Sequence, residues 1–430
     1  MLSDRYRNSI QHLKRAEQTI PLGSQTFSKS RTQYPVGISP LYIEKAKGSF
    51  VWDVDGNRYV DLVNSLASVT LGYGNRDIEK AVKKQLKKGV IFSLPGTLEA
   101  EVAELIVEMV PCAEMVRFGK NGTDATSAAI RLARAYTGRD HVAVCGYHGW
   151  QDWYIGSTTR NKGVPAGVSA LTHQFEYNNI ETLKTILEEL PGQFAAVIME
   201  PMNAQWPNPG FLEEVRKITK DLGIVLIFDE TITGFRFSRG GAQELFGVNP
   251  DLSTFGKGMA NGFPLSAVVG TREIMMEMEE IFFSGTFGGE LLSLAASKVV
   301  LEKHQKEDIC GNLGRNGASL ANKVELIIES NELANVVSLS GHDSWKFLNW
   351  KPTSQYSVEQ IRTLFMQEMF KAGVLVLGTH NISASFSAKS EDLVIFAYTN
   401  ALKEISSGIQ NQNLEQKMEV EPLVPLFRLR

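Results

Sequence analysis

The chain has 430 residues, with 44 Lys and Arg against 48 Asp and Glu and a formal net charge of −4. That balance argues against nucleic acid as the main partner, and no apolar run approaches the length needed to cross a membrane. Three cysteines, Cys112, Cys145 and Cys310, lack CxxC spacing, which speaks for a reducing compartment and against a disulfide scaffold or a zinc site.

The length suits about three domain-sized units, or one large domain with appendages. The charged N-terminus lacks the apolar core of a secretory leader, so a cytoplasmic protein is expected. Asp4 to Thr19 reads as an amphipathic helix with Tyr6, Ile10, Leu13 and Ala16 on one face. Apolar and polar residues then alternate from Tyr42 to Asp61 around Asp55-Gly56-Asn57, a hairpin signal. A helix is predicted from about Asn75 to Lys87.

From Thr97 to Leu301 buried strands alternate with helices. His141 to Cys145, Ala195 to Met199 and Ile224 to Phe228 read as strands; Phe211 to Leu222 has helical spacing and Gly223 ends it. Such alternation predicts an α/β fold, with a mostly parallel central sheet and helices on both faces. After Glu302 the pattern loosens into a smaller α+β part, with helices near Asn312 to Ser330, Ser357 to Ala372 and Leu393 to Gly408, and a short strand at Val374 to Leu377. The expected division is 1–70 as part of the small domain, 71–305 as the large domain and 306–430 as the C-terminal small domain. The tail from Ile409 is polar and ends in Pro422 to Arg430, read either as a loose arm or as an arm docked on a partner subunit.

Five short motifs carry chemistry. The apolar run Ile224 to Phe228 stops at Asp229 and Glu230, which puts an acid at the carboxyl edge of a buried strand, where open α/β sheets bind ligands. Lys257 follows between two glycines in a segment with no other charge. Alone, Asp229 reads as a turn or cap residue and Lys257 as a surface lysine. As a pair they suggest a pyridoxal phosphate (PLP) site, with Asp229 on the pyridine nitrogen and Lys257 holding the aldehyde as a Schiff base. Gly122 and Thr123 open a helix and offer N–H groups and a hydroxyl to an anion; plain capping by Asn121 or Thr123 is the competing reading. Tyr147, after the strand ending at Cys145, can stack on a planar ring or serve as a core aromatic, and His148 reads as structural, as a ligand or as a base. Gly285-Thr286 is a second Gly-Thr pair read as opening a helix. Glu200, Asn203 and Gln205 place an acid and two amides after a strand, a weak signal alone.

Taken together, Phe228 to Arg236, Gly256 to Leu265, Val51 to Asp61 and Tyr147-His148-Gly149 resemble the class III (subgroup II) aminotransferases of PLP fold type I, nearest the glutamate-1-semialdehyde aminomutase branch. The resemblance spans Ile20 to Leu402. It implies Lys257 and Asp229 as catalytic residues, with Gly122 and Thr123 on the phosphate, Tyr147 on the ring and Glu200 near the ring hydroxyl. It also implies a homodimer with a shared active site, Thr286 reaching the phosphate of the neighbouring subunit, and substrates that are a small-molecule amino donor and a carbonyl acceptor. The chain departs from the pattern in four places. The early carboxylate-gripping arginine element reads Gly23 to Arg31, leaving Lys29 or Arg31 as its candidate cation. Thr231 is the residue expected under the ring, where valine is usual, Asp124 stands where glutamate is usual, and Gly378 to Ser385 lacks an arginine. These departures favour a neutral acceptor, such as an oxidised sugar or another aldehyde. An intramolecular aminomutase and a non-catalytic binding protein on the same scaffold are the alternatives.

Overall fold

The computed structural model describes residues 4–424. They fall into two compact units: residues 76–311 form one, and the described residues before 76 and after 311 form the other.

The 76–311 unit is built on a seven-stranded sheet among the described residues. Its order is Met115–Gly119, Ser266–Gly270, Leu252–Phe255, Val225–Asp229, Phe194–Met199, His141–Cys145 and Thr172–Gln174. The last five run parallel, and Ser266–Gly270 is antiparallel to both its neighbours. The continuous apolar runs of the central strands follow from this layering. Every residue of Phe194–Met199 and of Val225–Asp229 is buried, because each strand is covered on both faces. One apolar layer includes Ala129, Leu132, Ile198 and Ile227. Another contains Leu183, Val215, Leu226 and Phe228. Each of the Leu, Ile, Val and Phe side chains among these contributes about 1.5–3 kcal/mol by leaving water. The turn after Asp229 is fixed by Glu230, fully buried, whose carboxyl accepts from the backbone N–H groups of Ala242 and Gln243 at 2.7 and 2.9 Å and from the Thr233 hydroxyl.

The other unit contains the expected hairpin, Phe50–Asp53 with Arg58–Asp61, flanked by Ile43–Lys47 and by Val374–Leu375, which pairs in parallel with Arg58–Asp61. The Asp53 carboxylate accepts from the N–H groups of Asp55 and Asn57 and so closes the turn. A second sheet joins Val337–His342, Trp345–Trp350 and Thr379–Asn381. The first helix is shorter than expected: Asp4–Tyr6 is a 3-10 turn and the α-helix covers Arg7–Ala16. The last long helix, Ala388–Gln410, starts five residues before the expected Leu393, because Ser387 caps it by accepting from the N–H of Ser390. The tail follows its own unit as far as Leu423, whose N–H donates to the Thr363 hydroxyl at 2.9 Å; residues 425–430, the end of the expected arm, lie outside the described residues. No helix among the described residues is long and apolar enough to cross a membrane. All three cysteines are free, and burial pushes each thiol up to about 12.

Candidate active site

At the carboxyl ends of the parallel strands, the 76–311 unit gathers six of the seven residues singled out from the sequence. Asp229, the last residue of its strand, is 5% exposed. Its Oδ1 accepts from the Thr231 N–H and the Thr254 hydroxyl, both at 3.1 Å, and its Oδ2 accepts from His148 Nδ1 at 2.9 Å. Burial pushes the carboxyl upward, but His148 and Thr231, through its side chain and its N–H, outweigh it and hold the group below the ordinary aspartate value. Asp229 is therefore an anion in a site closed to water.

Beside it, the strand Leu252–Phe255 delivers Gly256 and Lys257. Lys257 begins a short 3-10 turn at φ +42°, left-handed backbone that a non-glycine residue seldom adopts. Strain of this kind concentrates where a side chain must be aimed.

The helix Gly122–Thr137 starts on the same side. Thr123 does not cap the helix: its Oγ1 is closed to solvent with no hydrogen-bond partner among the protein's atoms. The Asp124 carboxylate turns back to accept from the N–H groups of Lys120 and Asn121 at 2.9 and 2.8 Å. The N–H groups of Gly122 and Thr123 remain for an anion.

The strand His141–Cys145 leads to Gly146 and Tyr147. Gly146 has φ +109°, and a Cβ there would stand 2.6 Å from Glu200 Oε2, so glycine permits Glu200 to approach the loop. Glu200 is buried and accepts from the Tyr147 N–H at 3.3 Å; of the two amides proposed beside it, Asn203 is close, at 3.5 Å, and Gln205 is exposed. The Tyr147 ring is braced edge-on by Tyr154, with ring centres 5.6 Å apart. His148 was the residue hardest to place from sequence. It is buried, its carbonyl accepts from the Thr126 hydroxyl at 2.8 Å, and its ring is the partner of Asp229.

Thr286 does not join these contacts, and the sequence-based placement of it at a helix start is corrected. The helix begins at Leu291, five residues later, and Glu290 caps it by accepting from the N–H groups of Leu292 and Ser293. That helix start already holds its own carboxylate. Thr286 lies exposed on the loop before it.

A buried anion, a lysine on a strained turn and a helix start with open N–H groups come together at the carboxyl end of the sheet. The family described as Aminotransferase class-III matches residues 33–393. The chain belongs to the class-III aminotransferases. This aminotransferase is 34% identical over 405 residues to 3-aminobutyryl-CoA aminotransferase of Cloacimonas acidaminovorans, covering 92% of this chain and 96% of that protein. It is 38% identical over 345 residues to glutamate-1-semialdehyde 2,1-aminomutase of Methanosarcina acetivorans, covering 74% of this chain and 81% of that one. Among solved structures, the FumI protein of Sphingopyxis sp. MTA144, in its PLP internal aldimine form, superposes with a TM-score of 0.88 at 27% identity, covering 97% of this chain and all of that one.

The cofactor of the aminotransferase is PLP. The residues present fit it in both charge and hydrogen bonding. Thr123 holds a buried hydroxyl with no partner in the protein, and the helix start with its open Gly122 and Thr123 N–H groups suits a phosphate. A carboxylate accepts about four hydrogen bonds. Asp229 accepts three from the protein, which leaves one for a ring nitrogen.

Proposed function

We propose that this enzyme moves an amino group from an amino-acid donor to an aldehyde or ketone acceptor in two half-reactions, with Lys257 as the covalent attachment point of PLP and the proton carrier. The observation that carries the reading is the junction of Asp229, the Gly122–Thr123 helix start and the Gly256–Lys257 turn around a single side chain, Thr231. Bound PLP supplies a cationic ring that draws electrons from the reacting carbon. Asp229 keeps the proton on the ring nitrogen, because an anion closed to water favours a cation beside it. The N–H groups of Gly122 and Thr123 hold the phosphate. Tyr147 forms a wall for the ring, and Glu200 orients its hydroxyl. The Lys257 amine takes the proton from the substrate carbon and delivers it to the cofactor side.

The proposed acceptor is a neutral carbonyl compound, an oxidised sugar or another aldehyde. Two observations support it. Arg31 is engaged by Glu17 at 2.5 Å. His380 is buried against the Tyr398 hydroxyl, and burial lowers it to about 4, so it carries no charge at neutral pH. Neither of these two offers a free cation, while Lys29, the other candidate of the early segment, is exposed. We further propose a homodimer with a shared site. Exposed apolar side chains at Ile91, Phe92, Leu94, Phe282 and Phe287 lie on two segments joined by the Leu291 N–H donating to the Val90 carbonyl, and they flank Thr286. An apolar surface of this kind suits burial against a second copy.

The test is a single-turnover panel. Enzyme carrying the aminated cofactor is mixed with oxidised sugars, simple aldehydes, a 3-oxoacyl thioester and glutamate-1-semialdehyde, and loss of its spectrum is followed. Turnover with an aldehyde lacking a carboxylate supports the proposal. Conversion of the semialdehyde with no second amino partner moves the assignment to an aminomutase. A colourless preparation that takes up no PLP ends the reading altogether.

A further inference from the structure

We propose that the cavity between the ends of the helices Ile180–Glu189 and Phe211–Asp221 is a binding site for an organic cation, an ammonium group carried on an apolar body.

The cavity has a volume of about 470 Å³ and lies wholly within the 76–311 unit. That volume falls in the range of small-molecule sites, about 300–1,000 Å³. It sits at the amino ends of two parallel strands: Phe194 begins one and Ile224 directly precedes the other, and both line the cavity. Asp229 closes the second strand at its far end, so the cavity and the candidate active site lie at opposite ends of the sheet. Leu187 and Ile218 add to the apolar walls, and Leu222 beside them is left 50% exposed.

The charges around this hollow are not balanced by the fold. Glu188 and Glu189 fall in the last turn of the first helix, which has no basic residue there, and Asp221 is the last residue of the second. A helix C-terminus is the negative end of the macrodipole, so it disfavours a carboxylate and favours a cation. Glu188 and Asp221 both line the cavity, and neither is in an ion pair among the described residues.

The two cations that line it are already engaged. Lys184 lies 2.9 Å from each of two carboxylates, Glu181 and Glu214, and that cluster is itself net negative. Arg139 Nη1 is shared among the carbonyls of Phe194, Leu222 and Gly223, at 3.2, 3.1 and 3.1 Å. An apolar hollow rimmed by unpaired carboxylates at two negative helix ends is complementary to an ammonium ion with a hydrocarbon body. The body removes apolar wall from water, and the cation offsets the charge left at the rim.

The probe is N,N-dimethylphenethylamine, a tertiary amine that is protonated at neutral pH and cannot form an imine with PLP. 2-Phenylethanol and 3-phenylpropionate are the neutral and anionic probes of similar shape. Each is titrated by calorimetry into the full-length, PLP-loaded enzyme at low salt. The ammonium should bind about tenfold more tightly than either, the equivalent of roughly 1.4 kcal/mol, as suits two partly exposed carboxylates acting together. The double variant Glu188→Gln, Asp221→Asn should bind the ammonium no better than the alcohol. Its turnover should be unchanged, and without probe it should melt no lower, because the carboxylates have left the negative helix ends.

Equal affinity for the ammonium and the alcohol overturns the proposal, as does an enzyme that binds none of the three. Tighter binding of the carboxylate overturns it too and assigns the cavity to Arg139. An ammonium preference that survives in the double variant places the probe elsewhere, and a lower melting point of that variant makes the two acids structural; either result sinks the assignment.

Discussion

The Nδ1–H of His148 donates to Asp229 Oδ2 across 2.9 Å, with the histidine side chain fully closed to solvent and the aspartate 5% exposed. The pair joins a loop to a strand end 81 residues away. Since the carboxylate can only accept, it fixes the tautomer and the plane of the imidazole. In return the histidine orients the carboxylate toward the pocket.

A double-mutant cycle on this pair should give strong coupling. His148→Gln and Asp229→Asn, measured singly and together by denaturant unfolding of the loaded enzyme, are expected to interact by about 1–3 kcal/mol, the range for buried side chains in one network. Asp229→Asn should also slow the chemical step by about two to three orders of magnitude, as other buried electrostatic deletions do. Additive effects on stability would show that the contact is energetically idle.

Lys257→Ala should abolish turnover and remove the site at which borohydride fixes the cofactor, while far-ultraviolet circular dichroism stays unchanged. The residue stands at φ +42° and is not part of the apolar layers. Alanine keeps a Cβ at that φ, so the backbone strain is unchanged and stability should stay about equal. A variant that still retains radiolabel from reduction with tritiated borohydride would place the attachment elsewhere.

Gly149→Ala tests the packing under the helix start. Gly149 has φ +105°, and a Cβ there would lie 2.5 Å from the Thr123 Oγ1 and 3.1 Å from the Thr123 Cα. Backbone strain of about 1–3 kcal/mol is expected, together with displacement of Thr123. PLP retention should fall with it, read by dialysis against buffer at fixed pH. Unchanged retention would mean that the Thr123 hydroxyl does not hold the cofactor.

Acid should weaken the protein in part through His380. Its folded value near 4 lies below the ordinary 6.5, so the unfolded chain binds the extra proton first. Stability therefore falls as pH drops from about 6.5, and the loss levels off near pH 4 at a size on the order of 3 kcal/mol. Asp229 works in a lower window: its contribution is held above the ordinary aspartate value near 3.9 and is lost only as pH falls below it. Urea unfolding from pH 7 to 4 should be flatter in His380→Gln than in the unchanged protein. An identical slope would show that the buried imidazole is not what titrates.

The strands Phe194–Met199 and Val225–Asp229 were legible because burial on both faces writes itself as an unbroken apolar run. Asp229 and Lys257 stood out only as a pair, because an acid ending a buried strand and a lysine between glycines each have an ordinary reading alone. His148 was not, since its role depends on a contact between segments far apart in sequence. The two Gly-Thr pairs look alike locally and differ in structure. What separates them is the anion each helix start contains: Asp124 turns back toward residues before its helix, whereas Glu290 folds forward onto the N–H groups of its own. The early start of the helix at Ala388 was hidden because its first turn is polar and its cap, Ser387, is one serine among several.

The three thiols have a practical bearing. With each pushed up to about 12, almost none is in the reactive form at neutral pH. Alkylating reagents and mild peroxide should leave these thiols of the folded enzyme untouched, and the first labelled cysteine, any of the three, would report that a molecule had opened.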